Sequence, residues 1–189
     1  GRRRLGGRPP WAGPDARHGR ARQFRAFGCL SAVLSYSSRI TVFGGTAIGH
    51  FQIPNNPGQG GAGPGGGNFN LNGTTVFDSA KLDQNQREIT HYGVLAWQYA
   101  GGALNFQIAP FVRYSQTRFT PDPQGGDLIL SGVADSSRLS SLTAGVQADG
   151  SYKLSDSHTL RFGLFFQNER TRSAVTSRNA RITAPLPAS

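Results

Sequence analysis

The sequence predicts an all-β chain, an antiparallel meander of about five strands that forms part of a transmembrane β-barrel. Three observations carry this expectation. Apolar and polar residues alternate with a period of two, tight and long connections alternate along the chain, and the apolar sides of the best strands carry no charge.

The cleanest strand lies in 104–117. Leu104, Phe106, Ile108, Pro110, Val112 and Tyr114 fall on one side, while Asn105, Gln107, Ala109, Phe111, Arg113, Ser115 and Thr117 fall on the other. Side chains along a strand point alternately to its two faces, so such a segment separates an apolar environment from a polar one. Segment 142–154 repeats the arrangement, with Leu142, Ala144, Val146, Ala148, Gly150, Tyr152 and Leu154 opposed to Thr143, Gly145, Gln147, Asp149, Ser151 and Lys153. In 159–171, Leu160, Phe162, Leu164 and Phe166 oppose Thr159, Arg161, Gly163, Phe165, Gln167 and Glu169. Ile40, Val42, Gly44, Thr46 and Ile48 make a weaker version. Segment 88–99 is strand-like with a mixed phase: Ile89, Leu95, Trp97 and Tyr99 are assigned to the apolar side, although Tyr92 and Val94 fall opposite. Pro110 lacks a ladder donor, and a bulge is expected there.

The connections give these strands a direction. Ala100-Gly101-Gly102-Ala103 makes one tight hairpin, and a turn around Ser155-Asp156-Ser157 makes another. Long segments rich in Gly, Asn, Asp and Pro, at 50–87 and 118–138, separate them. Antiparallel strands reverse at each connection, so tight turns gather at one end of the sheet and long loops at the other, as in outer-membrane barrels. About ten residues at ~3.3 Å each, tilted by ~45°, cross a hydrocarbon layer of about 25 Å. Trp97, Tyr99, Tyr114 and Tyr152, near strand ends, suit the two interfacial girdles. A soluble sandwich also alternates but does not require the asymmetry of connections.

Composition narrows the alternatives. The 189 residues include 26 Gly, 11 Pro and no Met, and position 1 is Gly, so the chain is expected to be a piece of something longer or a processed product. No apolar run reaches the roughly 18 residues of a transmembrane helix. Of the net charge of +10, most sits in residues 1–30, where Arg2, Arg3, Arg4, Arg8, Arg17, Arg20, Arg22 and Arg25 face only Asp15. As a secretory signal this head lacks a small-x-small cleavage site, and as a lipoprotein box ending at Cys29 it has Phe27 where a small residue is wanted. Its guanidinium groups could pair with nucleic-acid phosphates. The expectation adopted is a disordered basic head over 1–34. A single cysteine excludes an internal disulfide, and no Cys or His cluster supplies a zinc ligand set.

Three motif-like stretches carry no chemistry. Gly58-Gln59-Gly60-Gly61-Ala62-Gly63 fits a dinucleotide fingerprint, but Pro64-Gly65-Gly66-Gly67 follows, where a helix must begin. Asp156, Ser157 and His158 are consecutive in a hairpin and cannot converge as a triad. His18, His50, His91 and His158 have no ligand spacing. The chain is therefore not expected to be an enzyme, with no catalytic residue, metal ligand or cofactor.

Phe51-Gln52-Ile53-Pro54-Asn55-Asn56-Pro57-Gly58, then Phe77-Asp78-Ser79-Ala80-Lys81-Leu82-Asp83-Gln84-Asn85-Gln86-Arg87-Glu88 with Tyr92 beyond, resemble the middle of a TonB-dependent receptor barrel. Ser151-Tyr152-Lys153-Leu154-Ser155-Asp156-Ser157-His158-Thr159-Leu160-Arg161 resembles a periplasmic hairpin of the same proteins. The resemblance covers residues 35–183, leaving 184–189 as a tail. It implies a barrel of about 22 strands around an N-terminal plug, in the cell outer membrane. It further implies uptake of a siderophore, cobalamin or similar solute, driven by the inner-membrane TonB complex. No plug or TonB-contacting segment is recognisable, so contact with TonB would run only through the missing plug of a parent chain. About five strands cannot close a barrel, so the fragment is not expected to transport alone.

At residue level the expected partner is outer-membrane lipid, met by Leu104, Phe106, Ile108, Val112, Val146, Leu160, Phe162, Leu164 and Phe166. Gln107, Arg113, Gln147, Asp149, Lys153, Arg161, Gln167 and Glu169 are expected to face the lumen, most of them pairing between strands. No nucleic acid is expected as a partner. The alternative readings are a soluble β-sheet binding protein and a basic nucleic-acid-binding protein.

Overall fold

Long alternating segments become long strands, because each residue added to an antiparallel ladder contributes backbone hydrogen bonds while keeping its side chain on one face. The computed structural model describes residues 19–55, 58 and 66–180. Six strands form one antiparallel meander, in spatial order β1 (Ala21–Ser35), β2 (Ser38–Gln52), β5 (Asn85–Gly101), β6 (Leu104–Thr120), β7 (Val133–Lys153) and β8 (Thr159–Asn179). β3 (Gly66–Leu71) and β4 (Thr74–Val76) make a separate hairpin within the β2–β5 connection. The fold is thus all-β, with every sheet neighbour antiparallel and no crossover.

The expected alternation of connections is present. Tyr36-Ser37, Gly102-Ala103 and residues 154–158 close hairpins at one end of the sheet. In the last of these the Leu154 amide donates to the His158 carbonyl at 2.9 Å. The β2–β5 and β6–β7 connections, 53–84 and 121–132, stand at the other end.

Three expectations require correction. Residues 21–34 do not belong to a disordered head, since β1 pairs with β2 from Ala21 to Ser35; residues 1–18 and the 184–189 tail lie outside the described residues. The alternation in β1 is hidden because Phe27, Cys29 and Val33 stand opposite Phe24, Leu30 and Ala32, leaving both faces partly apolar. Pro110 makes no bulge. The β5–β6 register is the same on either side of it, Val94 with Phe111 and Trp97 with Ile108, and only the rungs between them are missing. Toward β7, Pro110 pairs with Val146. The strands, at 15 to 21 residues, are also longer than a bare crossing requires, because they continue into segments expected as loop.

No large side chain in the described residues is fully buried, and the buried apolar residues are Ala80, Ala96, Ala109, Ile129 and Ala134. Among the described residues the sheet is a single layer. Its edge strands β1 and β8 are exposed along their whole length, on both faces. What packing exists gathers at the long-loop end, where α1 (Gly126–Ser131) docks on β3. A Cβ at Gly132 would lie 2.7 Å from Phe69 Cζ, so glycine there permits the approach, and its φ of 79° ends the helix.

Two buried carboxylates knit the long connections together. Asp122 accepts the Gly126 amide at 2.7 Å and the Asp83 amide at 3.3 Å, and Asp127 accepts the Asp122 amide at 2.7 Å. Gln84 Nε2 also donates to Asp127, and Asn55 Nδ2 donates to the Ser79 carbonyl at 2.7 Å. Asp122→Ala leaves the Gly126 and Asp83 amides without these acceptors, at an expected local cost of about 1–3 kcal/mol. Amide hydrogen exchange should accelerate across 121–132 while protection in β5 and β6 is unchanged. Uniform acceleration through the sheet would contradict a purely local clamp.

Candidate functional site

Directly opposed residues in an antiparallel pair project to the same face, so the register carries each face across the whole sheet. On one face, Leu30, Val42, Leu95, Pro110, Val146 and Phe166 form one row, and Ala32, Ile40, Trp97, Ile108, Ala148 and Leu164 the next. A third contains Ser38, Tyr99, Phe106, Gly150 and Phe162. None of these rows carries a charge. All nine residues expected to meet lipid, Leu104, Phe106, Ile108, Val112, Val146, Leu160, Phe162, Leu164 and Phe166, lie on this apolar face, as do Ile89, Leu95, Trp97 and Tyr99.

Aromatic side chains mark both borders of the apolar band. Near the tight turns, Trp97 meets Phe106 edge-on at 5.1 Å and Tyr99 stacks on Phe106 at 5.5 Å, with the Trp97 indole N–H donating to Ser38 Oγ at 2.9 Å. Toward the long loops, Tyr114 stacks on His91 at 6.4 Å and its hydroxyl donates to Gln116 at 3.0 Å. From Leu104 to Tyr114 the band runs about 34 Å along the strand, or about 24 Å at a tilt of ~45°.

The opposite face is mixed. Gln107, Arg113, Gln147, Asp149, Lys153, Arg161, Gln167 and Glu169 all lie on it, as expected from their alternation. Their pairing is sparser than expected. Gln98 donates to Gln107 at 2.7 Å and Ser141 to Glu169, whereas Arg113 and Glu169 share a rung with Thr143 between them and form no ion pair. Lys153 bridges to Asp156 at 2.7 Å within its own hairpin. The mixed face also carries more aromatic surface than expected. Phe27 packs on Phe43 at 6.4 Å, and Phe111 stacks on Phe165 at 6.0 Å over Gly145.

Charge is segregated more sharply than alternation alone suggests. The acidic residues of the six-stranded sheet, Glu88, Asp135, Asp149 and Glu169, all lie on the mixed face. The apolar face carries Arg22, Arg87, Arg118, Arg138, Arg170, Arg172 and Arg178, every one of them at the long-loop end. Arg87 stands directly opposite Arg118, and Arg118 opposite Arg138. Sequence reasoning missed this row because Arg22 fell in the supposed head and Arg87, Arg118 and Arg138 in supposed loops. The available signal was the arginine that continues the apolar parity of the expected strands, Arg87 before 88–99, Arg118 after 104–117 and Arg138 before 142–154.

Among the described residues no group of three or more His, Cys, Asp or Glu could hold a metal ion. Asp156, Ser157 and His158 sit in the β7–β8 turn, where Ser155 Oγ lies 3.1 Å from His158 Nδ1. No family model matches this chain, and no significant match is found among curated proteins or solved structures.

The stack across Gly145 fixes the relation between β6, β7 and β8. A Cβ there would lie 2.5 Å from the Phe166 carbonyl oxygen and 2.6 Å from Phe111 Cζ, whereas one at Gly163 meets nothing nearer than 3.8 Å. Gly145→Ala is therefore expected to destabilise the sheet by about 1–3 kcal/mol through overpacking. Gly163→Ala should stay within about 0.5 kcal/mol of the wild type. Denaturant titration of the two variants in detergent micelles measures the difference, and equal midpoints would contradict the stack as a packing constraint.

Proposed function

We propose that this sheet is a wall segment of an outer-membrane β-barrel of the TonB-dependent receptor type. The barrel takes up a siderophore or similar solute, and the segment does not transport alone. Its apolar face meets lipid and its mixed face the lumen. The observation that carries this reading is the band from Phe106 to Val112, which is free of charge across all six strands and has aromatics at both borders, the first charge being Arg170 on β8, level with Tyr114. A lipid-facing charge near the bilayer midplane costs roughly 2–4 kcal/mol, and a water-exposed surface has no such reason to exclude charge from a band that crosses six strands.

Three further features support it. No described residue forms a second layer over the sheet, and its exposed apolar residues, among them Leu30, Leu164 and Phe166, call for a non-aqueous partner. Tight turns and long loops occupy opposite ends, as periplasmic turns and extracellular loops do. The edges of β1 and β8, unpaired among the described residues, call for neighbouring strands, because an open edge in hydrocarbon leaves backbone groups unsatisfied. Transport specificity comes from the resemblance of 51–58 and 77–88 to TonB-dependent receptors.

The assignment of faces is tested by moving one charge by one residue. Ile108 and Val146 lie in central rows of the apolar band, while Gln107 and Gln147 are their neighbours on the mixed face. In the barrel that carries this segment, Ile108→Arg or Val146→Arg should each reduce insertion by about 2–4 kcal/mol. Gln107→Arg and Gln147→Arg should be tolerated. Outer-membrane yield and heat-modifiable gel mobility report the folded fraction; equal yields within both neighbouring pairs would refute the membrane reading.

A further inference from the structure

We propose that the arginine border of the apolar face binds phosphate groups of anionic membrane-lipid headgroups. The inference rests on the membrane reading above and names the lipid chemistry at that surface. Arg22, His50, Arg87, Arg118 and Arg138 occupy one rung across five adjacent strands, and Arg170 and Arg172 continue the border on β8.

This row is electrostatically unbalanced within the protein. Like charges directly opposite on neighbouring strands repel, and here Arg87, Arg118 and Arg138 are consecutive. The face holds no carboxylate within the sheet, and none of these arginines forms an ion pair with a described residue. Arg138 donates to Gln116 at 2.6 Å, which orients one guanidinium without neutralising it. The remedy is an external anion with several charges spaced along the sheet. Arginine offers a planar fork of donors that matches phosphate oxygens two at a time.

Position selects the source of that phosphate. The Arg87–Arg118–Arg138 rung lies just beyond Gln116, and on β8 Arg170 and Arg172 lie level with Tyr114 and Gln116, so the border sits at the level of headgroups when acyl chains cover the band. A lipid satisfies both parts at once, tails on Ile108 and Val112 and headgroup on Arg118. A nucleic acid brings phosphates but leaves the adjacent apolar rows in water. Anionic surfaces attract each nearby arginine by about a fivefold gain in binding, so three arginines multiply to roughly 100-fold.

The test uses the full chain and flotation with two kinds of vesicle, phosphatidylcholine alone and phosphatidylcholine containing phosphatidylglycerol. The readout is the ratio of the two partition coefficients. The triple substitution Arg87→Gln, Arg118→Gln and Arg138→Gln should lower that ratio on the order of 100-fold while leaving binding to phosphatidylcholine intact. Lysine at the same three positions should retain most of the ratio. The matched substitutions Arg39→Gln, Arg113→Gln and Arg161→Gln on the mixed face remove equal charge and should leave the ratio nearly unchanged, which controls for the basic head. An unchanged ratio in the first variant, or an equal loss in both, overturns the inference while the membrane reading stands. Failure of the wild-type chain to float with either vesicle overturns both. Loss of binding to duplex DNA in the first variant, with the lipid ratio unaffected, assigns the row to nucleic acid and rejects the lipid.

Discussion

The register of the inter-strand ladder governs everything else in this molecule. Each rung decides which residues share a face, and a slip of one residue in a single strand would exchange its two sets of side chains. In β6 such a slip would bring Gln107 and Arg113 among Trp97, Val146 and Leu164, and turn Ile108 to the mixed face. The six strands keep one register over their length apart from a shift at the end of β1. That constancy makes a charge-free band continuous from β1 to β8 instead of a patchwork of short apolar stripes.

Stability in a sheet of this kind is borrowed from its surroundings. A domain with a core buries Leu, Ile and Phe against one another; here Leu160, Phe162, Leu164 and Phe166 stand exposed on one side of a single layer. Among the described residues, intramolecular packing is limited to small residues such as Ala96 and Ala109, aromatic pairs such as Phe111 with Phe165, and the cap over the long-loop end. The cap is held differently from the sheet, by carboxylates accepting backbone amides in a place where Asp122 and Asp127 are buried. Two regimes thus meet in one chain. Polar interactions order the connections, and the environment of the faces decides the fate of the strands.

Much of this was legible in the sequence because period-two alternation is a direct image of the two faces. The residues assigned to each side of 104–117, 142–154 and 159–171 keep those sides, and even the mixed-phase segment 88–99 places Trp97 and Tyr99 as expected. β1 was not legible, since Phe27 and Cys29 oppose Phe24 and Leu30, and Arg22 and Arg25 extend the arginine-rich run that precedes it. Nor was α1, whose six residues are too few to display a helical period. Pro110 illustrates a different limit. Its missing donor was visible, but whether the chain inserts a residue or simply forgoes the rungs toward β5 depends on the continuity of both neighbours. The arginine border needed the register itself, because Arg22, Arg87, Arg118 and Arg138 come from four strands and are brought to one rung only by the ladder.

The number of strands in the sheet is even, and parity has a topological consequence. The meander starts at Ala21 and ends at Asn179 on the same rim, the one that bears the long connections. A piece with that property can be spliced into a larger meander, or lost from it, without reversing the direction of any other strand. Its three tight hairpins are alike in this respect, each carrying its own apolar and mixed sides. In the barrel proposed above, hairpins of this kind can be gained or lost whole while the two rims keep their identities.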